Sequence, residues 1–133
     1  MKRIWIITFI TFIYSAGGWA QSLDVSITSP ADVSSVGLRP VVKGTVSDPA
    51  STVWVIVHPL ETGDYWVQPR VKVSDDGTWE VRIYIGRPGS IDVDKLFEVR
   101  AVANPTTKLQ EGNVLGGWPK AKASSYVIEL KRE

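Results

Sequence analysis

Past residue 20 the apolar positions recur with a period of two, and one stretch breaks that rule. Residues 53–57 (VWVIV) form an unbroken β-branched and aromatic run, ended by His58 and Pro59. A run of this length between turn residues predicts a strand buried on both faces. A polar bend with Gly63 and Asp64 follows, and apolar character resumes at Tyr65, Trp66 and Val67. Residues 53–68 therefore read as the spine of a β-domain.

The flanking segments alternate and read as half-buried strands. Residues 23–28 set Leu23, Val25 and Ile27 against Asp24, Ser26 and Thr28, and Ser29-Pro30-Ala31-Asp32 stops them. Residues 41–46 set Val42, Gly44 and Val46 against Val41, Lys43 and Thr45. Gly44 weakens a strand interior, so its presence predicts a bulge or a close approach by another part of the chain. Residues 70–73 alternate again, and Ser74-Asp75-Asp76-Gly77 has the chemistry of a hairpin turn. Residues 78–85 turn Trp79, Val81, Ile83 and Ile85 one way and Glu80, Arg82 and Tyr84 the other. Residues 91–95 fit either a loop or a short helical turn. Residues 97–103 and 126–131 complete the set. Between these two lies the segment 104–124, with Pro105, Gly112, Gly116, Gly117 and Pro119. A connection that long in a compact domain is functional or contains short elements of its own.

Seven or eight short strands, turns about every ten residues and no amphipathic helix predict an all-β fold. The expected architecture is an antiparallel two-sheet β-sandwich of about seven strands, with a small barrel as the competing closure.

The first twenty residues belong to a different pattern. Lys2 and Arg3 precede the apolar residues 4–14, and Gly18 and Ala20 place small residues before a break at Gln21. This is the layout of a cleaved secretory signal peptide over residues 1–20, with a domain over 21–133. The alternative is an uncleaved anchor, since the uncharged run 4–20 only reaches the lower length of a membrane span, about 17 residues. With cleavage the chain has no span left, and the expected location is periplasmic or extracellular.

The leader also changes the charge. The 133-residue chain has 15 basic and 14 acidic residues, a net charge of +1. Without Lys2 and Arg3, 13 basic residues face 14 acidic ones. Nothing in that balance points to nucleic acid. The chain has no Cys, which excludes disulfides, thiol nucleophiles, thiolate metal sites and lipid attachment at a cysteine. A domain of this size reaches ordinary stability, about 5–15 kcal/mol, without covalent help.

Ile27-x-Ser29-Pro30 followed by Val42-x-Gly44-x-Val46 resembles the opening of bacterial immunoglobulin-like domains of exported proteins. Asp76-Gly77-Thr78-Trp79-x-Val81 and Phe97-x-Val99-x-Ala101 are similar to two later strands of the same group, so the resemblance covers residues 23–130. The chain lacks the inter-sheet Cys pair and the corner Tyr of antibody domains, which favours the bacterial or fibronectin type III-like branch. The resemblance implies a module for adhesion, binding or spacing, without catalytic activity or cofactor.

The candidate chemistry agrees with that expectation. His58 is the single histidine. It could act as a base or as one metal ligand beside Glu61 and Asp64, but one His without ligand spacing fits a strand end better. Asp75-Asp76 belongs to a turn, and Asp92-x-Asp94 is too small a set for calcium, which needs six to eight oxygens. No catalytic residue and no metal site is assigned.

The aromatic residues are the stronger lead. Trp79 lies on an inward face. Tyr65, Trp66, Trp118 and Tyr84 fall in or beside loops or on a polar face, where rings stack on sugars or anchor protein interfaces. Trp118 has a second reading, in which it folds back over the outer face of residues 53–57. The expected partner is a protein, and the alternative is a glycan bound on Tyr65, Trp66 and Trp118.

Overall fold

The computed structural model describes residues 22–133, and the expected signal peptide, residues 1–20, lies outside the described residues. Among the described residues there are eleven strands and no helix. In chain order these are β1 (Val25–Ser29), β2 (Ser34–Val36), β3 (Val41–Val46), β4 (Val53–Pro59), β5 (Tyr65–Val67), β6 (Lys72–Val73), β7 (Thr78–Arg82), β8 (Leu96–Pro105), β9 (Val114–Leu115), β10 (Ala121–Ser124) and β11 (Ile128–Arg132).

They form two open sheets rather than a barrel. The smaller has the order β1-β3-β7-β6, and the larger β9-β5-β4-β8-β11-β2, with β10 also paired to β8. All pairings are antiparallel except that of β2 with β11, which places Ser34 beside Leu130 and Val36 beside Arg132.

The strand count exceeds the expected seven or eight because β2, β9 and β10 are two to four residues long. Elements so short show no period of their own. Regular pairing of β7 stops at Arg82, yet the inward alternation continues, with Ile83 and Ile85 fully buried. Their N–H groups donate to the carbonyls of Pro40 and Leu38 at 3.0 and 2.8 Å. The segment 91–95 is not helical. It closes two turns, with Val93 N–H donating to Ser90 O and Lys95 N–H to Asp92 O.

The two sheets share one core. Val25, Val42, Val46, Trp79 and Val81 of the smaller sheet meet Val53, Val55, Val57, Phe97, Val99, Ala101, Ala103, Ile128 and Leu130 of the larger. Gly44 pairs with Trp79 across β3 and β7, and a Cβ there would overlap both the indole ring and the carbonyl oxygen of Ser26. The register of β1 against β3 shifts between Ile27 and Ser29, so bulge and close approach occur together. At the 74–77 turn Gly77 has φ +85°, and Asp76 accepts hydrogen bonds from Thr78 N and Oγ1.

Strand β4 is buried on both faces. Its outer residues Trp54 and Ile56 join Val67, Val102 and Leu109 in a second cluster, against which Tyr65, Leu115, Trp118 and Ala121 pack. The cover comes from segment 104–124: β9 pairs with β5 and β10 with β8, and Leu109 and Trp118 lie over the sheet between them.

Candidate functional site

The four aromatic residues singled out in the sequence separate into two pairs. Strand β5 sets Val57 opposite Trp66 and Ile56 opposite Val67. Paired residues share a face, so Trp66 lies on the same side as the inward Val57, and Tyr65 and Val67 on the outer side. Neighbours in sequence thus meet different surroundings.

On the outer side Tyr65 stacks on His58, with centroids 4.0 Å apart and planes within 8°. Trp118 meets Tyr65 edge to face at 4.8 Å, and the Arg100 guanidinium lies 5.5 Å from the Trp118 centroid. Both Tyr65 and Trp118 are half-buried. The rings are crossed rather than coplanar, so Tyr65 and Trp118 offer no flat platform continuous with Trp66.

His58 is the hub of this cluster. Its Nδ1 lies 2.8 Å from Glu98 Oε1 and its Nε2 lies 2.7 Å from the carbonyl oxygen of Thr62. Both partners are acceptors, and the tautomer of the ring sets which of them receives its N–H. With both nitrogens engaged and its side chain 11% exposed, His58 holds the 59–64 bend against β8. Among the described residues no group of three or more His or acidic side chains is arranged to hold a metal ion.

Trp66 and Tyr84 lie on the other side. Both line a groove of about 570 Å³ at the edge of the inter-sheet space, a volume typical of ligand sites. Buried Val57 and Phe97, both of the inter-sheet core, line it together with Glu61, Asp64, Arg87 and Glu111. Trp66 is 42% exposed and Tyr84 48%. Trp66 belongs to the inward face by register, yet it sits on the edge pair β5–β9 and is left open.

Gln68 shapes this edge. It is 4% exposed. Its Oε1 accepts the Tyr84 N–H at 2.8 Å, and its Nε2 donates to Trp66 O at 3.3 Å. One buried amide therefore ties the end of β5 to the segment after β7. Arg39 lies over the Tyr84 ring, 3.7 Å from its centroid, and its Nε donates to Ile83 O. One face of Tyr84 is thereby occupied.

An ion-pair chain closes the far wall. Arg87 grips Asp92 through Nε at 3.0 Å and Nη2 at 2.9 Å, and its backbone N–H donates to the same carboxylate at 2.7 Å. Lys95 Nζ bridges Asp92 and Glu61 at 3.2 and 2.9 Å. The hydrogen bonds from Arg87 hold the Asp92 carboxyl well below the usual carboxylate range, against the opposing effect of burial. Beside it the buried Arg132 donates to the carbonyls of Ile85, Arg87 and Gly89.

Sequence reasoning missed Gln68, Arg87, Asp92 and Glu111 as groove residues. The one local signal was an Arg and an Asp flanking Gly89 in a turn. Comparison of the chain with protein-family models, with curated proteins and with solved structures returned no match.

Proposed function

We propose that this chain is an exported, non-catalytic immunoglobulin-like β-sandwich module that docks to a protein partner through the groove walled by Trp66 and Tyr84. The observation that carries the proposal is two large aromatic side chains left about half exposed beside buried apolar residues. Exposed rings over a desolvated floor are the usual anchors of an interface.

Strand order supports the immunoglobulin-like part. Four strands in the order β1-β3-β7-β6 face a sheet centred on β4, β8 and β11, with β5 added beside β4. That division is similar to the one described for immunoglobulin domains, with β2, β9 and β10 extending the larger sheet here. The leader pattern of residues 1–20 supports export, and amino-terminal sequencing of the purified protein should begin at Gln21.

The test of function compares capture from the organism's own cell envelope by the wild-type protein and by Trp66→Ala. A partner retained by the first and lost by the second is the expected outcome. Equal capture by both would overturn the assignment of the groove. A glycan-binding function is the second reading, favoured by the open Trp66 ring beside carboxylates able to accept sugar hydroxyls.

A further inference from the structure

We propose that the groove selects a basic side chain, Lys or Arg, on an extended segment of the protein partner. The inference rests on the groove being a docking site, as set out above, and names the chemistry of its occupant.

The charge of the lining is one-sided. Four carboxylates line the groove, those of Glu61, Asp64, Asp92 and Glu111, against the single guanidinium of Arg87. Asp92 is neutralised by its contacts with Arg87 and Lys95, and Glu61 shares Lys95. Asp64 and Glu111 make no salt bridge among the described residues. Both are exposed, so a cationic ligand entering the groove would find two carboxylates with no ion-pair partner among the described residues. A phosphate or a carboxylate would meet only repulsion from these groups.

The apolar part of the site fits the same occupant. Lys and Arg lay a hydrocarbon stem on apolar surface and keep the charged head at its polar edge. The groove offers both surfaces, with buried Val57 and Phe97 and the exposed Asp64 and Glu111 all on its lining. Trp66 adds a ring over which no cation lies among the described residues, and indole is the strongest cation–π partner among the side chains. Arg39 on Tyr84 shows the same contact made within the chain. The volume exceeds one side chain, so residues flanking the basic one are accommodated too. A neutral sugar would stack on Trp66 but would leave Asp64 and Glu111 without a counter-charge.

The test uses protein purified after expression of the complete chain, with the Trp66 indole N–H and Tyr84 followed by NMR. The probes are blocked tripeptides Leu-Arg-Leu, Leu-Lys-Leu, Leu-Gln-Leu and Leu-Glu-Leu, with soluble xylan and glucan oligosaccharides alongside. Arg and Lys peptides should shift both resonances, with affinity falling as salt rises. Asp64→Asn and Glu111→Gln should each weaken binding roughly fivefold, and Trp66→Ala about tenfold, with unchanged melting showing that the fold is kept. Equal binding of the Gln or Glu peptide, or a response to glycans alone, would overturn the basic-ligand proposal and leave the docking groove standing. No response of Trp66 to any probe would overturn the basic-ligand proposal. If Trp66→Ala also captured the envelope partner normally, the groove itself would be dismissed.

Discussion

Gly44 lies directly across the strand pair from Trp79, and the indole occupies the space that any side chain at position 44 would need. The glycine costs β3 backbone entropy and a packing side chain, and in return the ring lies flat against the strand and is 3% exposed. Gly44→Ala should destabilise the fold by about 1–3 kcal/mol through overpacking, measured as a lower melting temperature. Adding Trp79→Val to Gly44→Ala removes the ring but leaves the Ser26 carbonyl in the way, so the alanine should still cost stability in that background. An alanine tolerated without loss in the wild-type background would show that the strands separate easily at this point.

The two tryptophans on either side of β5 should behave oppositely. Trp118 covers Trp54, Ile56 and Val102, and Trp118→Ala would open that cluster to water. For a half-buried ring the expected loss is about 2–3 kcal/mol, below the 3–5 kcal/mol of a fully buried one. Trp66→Ala should stay within about 0.5 kcal/mol of wild type, as surface changes do. Parallel denaturant titrations measure both. A large loss at Trp66 with none at Trp118 would reverse the assignment of cover and site.

Acid should reveal the Asp92 network. A carboxylate whose folded pKa is depressed contributes stability above its unfolded pKa, about 3.9, and loses it as pH falls through the folded value. Wild type should therefore exceed Asp92→Asn in stability by about 1.5 kcal/mol near neutrality, the low end for charged hydrogen bonds because Arg87 is solvated. The difference should be constant down to about pH 5 and shrink steadily below pH 4. Melting temperatures of both proteins from pH 7 to pH 2 provide the comparison. A gap that stays constant through that range would mean that the Asp92 charge contributes nothing.

Much of this fold is legible because its signals are local. Periods of two mark the inward faces of β3, β7 and β8, and Asp76-Gly77 marks its hairpin by the backbone angles the turn needs. The unbroken run of β4 states that both its faces are covered, and segment 104–124, including Trp118, covers the outer one. Gly44 in a strand interior predicts a close approach, and the approach is there.

Tertiary structure alone decided which aromatic residues stay open. Tyr65 and Trp66 are adjacent, equally aromatic and equally near a loop, so nothing local separates them. Their fates depend on what other segments lie over each face of β5. Residues 104–124 bring Trp118 to Tyr65 on one side, while on the other Trp66 stands at the sheet edge with Tyr84 across the groove. The contacts of Gln68 with Tyr84 and of Lys95 with Glu61 likewise join residues 16 and 34 positions apart. Hydrophobic periodicity records which way a side chain points, and it carries no record of how far the opposing layer extends. The strand pattern was therefore written in the chain, and the groove came into being only where the two sheets end.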